Sequence, residues 1–114
     1  MDMHCGFVAN DVLVAEDLAF VQWFGLSAGR ARVLSMLWRA QGEIVSASCF
    51  GLSRRSVYVY VSELRTALDP GAIRTRSKSG YALTQSGLNE CRAALGAMHR
   101  WWSSEAADSR SIAA

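Results

Sequence analysis

"RRSVYVYVSELRTAL", residues 54–68, is the stretch whose reading decides the fold. Between Val57 and Val61 it alternates as a half-buried strand does. Over its whole length, however, Val57, Val61, Leu64 and Leu68 fall at i, i+4, i+7 and i+11, which is one face of a helix. The β-branched residues lower helix propensity by roughly a few tenths of a kcal/mol each. Burying the stripe at about 25 cal/mol per Å² outweighs that cost. The stretch therefore reads as a helix, with Ser53 as its cap.

Working downstream, Asp69, Pro70 and Gly71 stop this helix. "AIRTR" reads as a strand, "SKSG" as a tight turn with Lys78 at its tip, and "YALT" as the returning strand of a β-hairpin. Thr84 or Ser86 begins a last helix, with Leu88, Cys91, Leu95, Met98 and Trp102 on one stripe, and the polar, alanine-rich tail from Ser103 is expected to fray. Upstream, Gly51 turns the chain in "GLS", Ser46 caps a brief helix through Phe50, and "EIV", 43–45, is a short β-branched run. Before these, a helix capped by Ser27 and ending at Gly42 places Val33, Leu34, Leu37 and Trp38 on one face and Arg30, Arg32 and Arg39 elsewhere. Asn10 and Asp11 cap a first helix, 11–24, with Val14, Leu18 and Val21 as its stripe, Glu16 and Asp17 in its first turns, and Gly25 as its breaker.

A chain of 114 residues with 51% hydrophobic content and one proline is a single packed domain. Its net charge of +2 conceals a segregation. Residues 1–22 carry −4, residues 23–52 carry +2, residues 53–80 carry +4 and residues 81–114 balance. A basic stretch of this kind is either an ordinary solvated face or a footprint for phosphates, whose neutralisation releases counterions.

Cys5, Cys49 and Cys91 are widely spaced and form no C-x-x-C pair, so they read as free buried thiols in a reducing cytosol. His4 beside Cys5 is at most half a metal site, with His99 the only other histidine, and neither metal nor cofactor is expected. No targeting segment or membrane span is signalled, which implies a cytoplasmic protein. No G-x-S-x-G, phosphate-cradling loop or cluster of carboxylates is present, so the residues suggest no enzyme.

Helix, short strand, short helix, tight turn, long helix and hairpin follow one another in the order of a winged helix-turn-helix. The expected fold class is mainly α with a small β-hairpin wing (α+β), carrying extra helices at both ends. The divisions are an acidic N-terminal helix, 1–25, the winged helix-turn-helix, 26–84, a C-terminal helix, 85–102, and a flexible tail, 103–114.

Residues 54–84 resemble the recognition helix and wing of the OmpR and PhoB family of DNA-binding domains. The pattern R-[ST]-V-x-V-x-I-x-x-L-R-x-x-L, an I-x-T strand and a terminal G-Y is met by Arg55, Ser56, Val57, Val59, Val61, Leu64, Arg65, Leu68, Ile73, Thr75, Gly80 and Tyr81. "GEIVS" resembles that family's lead into its first helix-turn-helix segment, so the likeness covers about residues 26–84. The expected departures from the family are the lack of a receiver domain, an acidic helix where the family places a small β-sheet, and a much shorter first helix of the motif. Phosphorelay control is therefore not implied. "YALTQSGL" instead resembles the L-T-x-x-G continuation of MarR-like and PadR-like winged helices, in which terminal helices dimerise.

The resemblance implies a bacterial or phage regulator of transcription, nucleoid-associated, that binds double-stranded DNA. The helix would enter the major groove and the wing would lie on backbone or minor groove. Val59 and Glu63 match the positions facing base edges, with Arg54, Arg55, Ser56, Tyr58 and Ser62 around them. Glutamate at 63 accepts from cytosine N4 but repels phosphate, so the sequence preference should differ from the family's. Arg65 is either a phosphate contact or a structural ion-pair partner. In the wing, Arg74, Arg76 and Lys78 surround Ser77, which aligns with the family's usual arginine.

Tyr60 reads as core and Tyr58 as either a half-buried aromatic or a phosphate ligand. Trp23, Phe24, Trp38, Trp101 and Trp102 read mostly as core. Two adjacent tryptophans cannot share one helical face, however, so a homodimer through Leu18, Val21, Leu95, Met98, Trp101 and Trp102 is expected. The rival expectation is a protein adaptor that holds RNA polymerase, another regulator or a phage component through the acidic first helix.

Overall fold

The computed structural model describes residues 15–76 and 80–113, and side chains as far as residue 101. It is mainly helical, with one small antiparallel sheet. In chain order the elements are α1 (Ala15–Phe24), α2 (Ala28–Arg39), β1 (Val45–Ser46), a one-turn 3₁₀ helix (Ala47–Phe50), α3 (Arg54–Ala67), β2 (Ile73–Arg76), β3 (Gly80–Leu83) and α4 (Gln85–Ala113).

The decisive stretch is a helix. Val57, Val61, Leu64 and Leu68 are all buried, so the 3.6-residue period prevails over the local strand alternation. Serines set the starts of three elements: Ser27 accepts from Arg30 N at 3.4 Å, Ser46 from Ser48 N at 3.4 Å and Ser53 from Ser56 N at 3.1 Å. Gly51 ends the 3₁₀ turn in the left-handed conformation, at φ 71°, a backbone that glycine adopts without steric cost.

α2 lies at the centre, packed against α1, α3 and β3, and α1 also packs against α4. Ala31, Val33, Leu34, Met36 and Leu37 of α2 join Phe20, Phe50, Val57, Leu64, Ile73, Leu83 and Cys91 in one core. Thr84 closes the start of α4: its main-chain oxygen accepts from Leu88 N at 2.9 Å and its hydroxyl from Gly87 N at 3.3 Å. The same hydroxyl donates to Gly71 O at 2.6 Å, tying the start of α4 to the segment after α3.

Several expectations need correction. The hairpin is one part of a three-stranded sheet of order β1-β3-β2, because Val45 and Ser46 pair with Tyr81 and Gly80. α2 ends at Arg39, short of Gly42, and the chain turns through Gln41, which has a positive φ of 51°. α4 does not end at Trp102 but continues through Ala113, over residues with no proline or glycine to stop it.

On α1 the buried face is Asp17, Ala19 and Phe20, whereas Leu18 is 42% exposed and Val21 half-buried. Phe20, with Phe24 one turn on at a ring separation of 6.0 Å, directs that face toward the core, and Ser35 of α2 donates to the buried Asp17 carboxylate. Val14 and the start of the expected 11–24 helix lie outside the described residues, as do Cys5 and His4. Trp23 is exposed, not core, while Phe24 and Trp38 are half-buried against it. Cys49 is disulfide-bonded, so among the described cysteines the expectation of a free thiol holds for Cys91 alone.

Candidate nucleic-acid interface

At 100° per residue, the inward stripe of α3 fixes where its other residues point. Arg55, Val59, Ser62 and Thr66 lie opposite the buried stripe and are all exposed, Val59 at 42% despite being apolar. Tyr58, 64% exposed, stands beside them on the flank shared with Arg65. Tyr60 and Glu63 occupy the other flank, which faces the first turn of α2.

The two flanks are fastened differently. Arg65 Nε and Nη2 donate to Ile73 O at 3.2 and 3.0 Å, and Nη2 also donates to Thr75 Oγ1 at 3.0 Å. Arg65 is thus no ion-pair partner among the described residues: its Nε and Nη2 hold β2 beside α3, and the guanidinium keeps its charge. On the other side Arg30 of α2 donates through Nε to Glu63 Oε1 and forms an ion pair with it. Arg30 Nη1 also donates to Ser27 Oγ at 2.7 Å, and its guanidinium lies 4.9 Å from the centre of the Tyr60 ring. Hydrogen bonding to Glu63 raises the pKa of Arg30 further, so the guanidinium stays ionised.

Arg54 and Arg55 are exposed in the first turn of α3, a turn that contains no acidic residue. Arg74 and Arg76 are exposed on β2, two residues apart and so on one side of the strand. Neither ion pair among the described residues uses any of these four. Arginine near a helix N-terminus opposes the macrodipole, so helix stability does not account for Arg54 and Arg55. Ser56 is half-buried and its hydroxyl accepts from Ser53 Oγ at 2.9 Å, which makes it part of the cap. Ser77 and Lys78 lie outside the described residues.

Two residues of this surface escape sequence reasoning. Thr66 could have been found, since it continues the outward stripe of Val59 and Ser62. Arg30 could not, because nothing local links it to Glu63, 33 residues away.

The residues expected to form a dimer contact fall in a second place. Leu18 and Gln22 of α1 and Met98 and Trp101 of α4 line one open groove of about 440 Å³. Trp101 is 55% exposed, Leu95 and Val21 pack half-buried against the core, and the side chain of Trp102 lies outside the described ones. Among the described residues no helix is long and apolar enough to cross a membrane, and no three His, Cys, Asp or Glu residues are placed to hold a metal ion.

No protein-family model matches the chain, no curated protein is significantly similar to it, and no solved structure matches it at that level.

Proposed function

We propose that the chain is a winged helix-turn-helix protein that binds double-stranded DNA sequence-specifically and regulates transcription. In this reading α3 enters the major groove and the β2–β3 hairpin rests on backbone or minor groove. One observation carries it: four exposed arginines, Arg54 and Arg55 at the start of α3 and Arg74 and Arg76 on the strand that Arg65 ties to α3, enter no ion pair among the described residues. Phosphates at the start of α3 would be favoured by both arginines and by the helix N-terminus. On the outward face of α3, Val59 supplies an apolar contact suited to a thymine methyl, and Ser62 a hydroxyl that either donates or accepts at a base edge.

The protein acts as a homodimer in this reading, with the groove of Leu18, Met98 and Trp101 covered by a second copy. An adaptor for RNA polymerase or another regulator would use the same groove and leave the α3 face unused. The deciding test is selection from random duplexes at about 150 mM and again at about 50 mM salt. Enrichment of one motif at the higher salt supports the proposal, and two-fold symmetry in it supports the dimer. Binding at low salt alone, without enrichment, transfers the case to the adaptor. A monomer mass at tens of micromolar, measured by sedimentation, would rule out the homodimer.

A further inference from the structure

We infer that Arg30 is a positioning residue for sequence readout, holding the Glu63 carboxylate at the edge of the α3 face so that its second oxygen accepts from an exocyclic base amino group, best cytosine N4. This rests on the DNA-binding reading above. Three contacts immobilise the guanidinium: Glu63 Oε1, Ser27 Oγ at 2.7 Å, and the Tyr60 ring at 4.9 Å from its centre. No described residue donates to Glu63 Oε2, and the Glu63 side chain remains 47% accessible.

An unpaired carboxylate at a DNA surface would be repelled by the phosphates, whereas the Arg30–Glu63 pair carries no net charge there. The pair therefore removes the penalty of placing a glutamate on a DNA-facing helix and leaves an acceptor fixed in one direction. A carboxylate presents acceptors only, so it discriminates for the amino group of cytosine and against the O6 and O4 acceptors of guanine and thymine. Arg30 comes from a different helix than the rest of the surface, so α2 would contribute to specificity without itself touching DNA.

The test is the same random-duplex selection, run on the wild type, on Glu63→Gln and on Arg30→Met, with circular dichroism establishing that each is folded. Glutamine pairs bidentately with adenine, so Glu63→Gln is expected to exchange cytosine for adenine at one motif position and leave the others alone. Arg30→Met frees the carboxylate, and discrimination at that same position should fall by about fivefold or more, with weaker binding overall. If both variants select the wild-type motif at every position, the pair only braces α2 against α3; the inference is then wrong and the DNA reading stands. If the wild type selects no motif, the DNA reading fails first and this inference falls with it.

Discussion

Arg65 spans the gap between α3 and β2 by giving two donors to one acceptor: Nε and Nη2 reach Ile73 O at 3.2 and 3.0 Å. Ile73 is buried, so its carbonyl would otherwise lack a partner at the point where the hairpin leaves the core. Arg65→Ala should cost about 1–2 kcal/mol in urea unfolding, discounted for the partial exposure of the arginine. Arg65→Lys should recover only part of it, because a point cation cannot reproduce the fork. Amide exchange along β2 and β3 should speed up before global unfolding in both variants. Unchanged exchange there would show that the hairpin does not depend on this tie.

Gly87 is confined by its neighbours. A Cβ at this position would collide with the main-chain oxygen of Ala72 and lie 2.7 Å from Leu83 Cδ2, in the first turn of α4. The main-chain oxygen cannot swing aside, since it accepts from Thr84 N at 2.9 Å. Gly87→Ala is therefore expected to destabilise by about 2–3 kcal/mol, despite alanine's better helix propensity. Gly96, on the same helix, meets only the end of the Arg100 side chain at 3.4 Å. Gly96→Ala should stabilise by up to about 1 kcal/mol. Thermal melts of the two variants should move in opposite directions.

How much of this was legible in the sequence depended on how local each cause was. The stripe on α3, the caps at Ser27, Ser46 and Ser53 and the hairpin after Gly71 are each specified within a few residues, and all are present. The face of α1 was misread because the period alone favours Val14, Leu18 and Val21, whereas the burial of Asp17 depends on Ser35, 18 residues away. The addition of β1 to the sheet was likewise hidden, since two paired residues leave no periodicity and their partners lie beyond residue 79. The candidate surface divides in the same way. Arg55, Val59 and Ser62 follow from the helical period, but the opposite duties of Arg65 and Arg30 follow only from what stands beside them.

Burial of Cys91, reinforced by the charge of Glu90, pushes its thiol from 9.0 up to about 12. The folded chain then keeps a proton that the unfolded chain releases above about pH 9, so the associated stability is complete below pH 9 and is lost as pH rises toward about 12. The limiting slope is about 1.4 kcal/mol per pH unit. Denaturant unfolding should show a fall in stability between about pH 9 and pH 11 that is shallower in Cys91→Ala. Every other ionisable group is the same in both proteins, so the difference between them isolates the thiol. Equal slopes would show that the thiolate is solvated in the folded state.

If phosphates sit against Arg55 and Arg76, each of these residues displaces counterions on binding. Arg55→Ala and Arg76→Ala should then weaken binding to every duplex and reduce the slope of log affinity against log salt by about one unit each. Val59 carries no charge, so Val59→Ala should leave that slope unchanged and alter only which sequence is preferred. Measured by titration of a selected duplex and a scrambled one across salt concentrations, the arginine variants should lose affinity for both alike. Val59→Ala should lose it for the selected duplex alone. An arginine variant that keeps the wild-type salt slope on both duplexes would take that arginine off the DNA surface, and two such results would favour the adaptor reading.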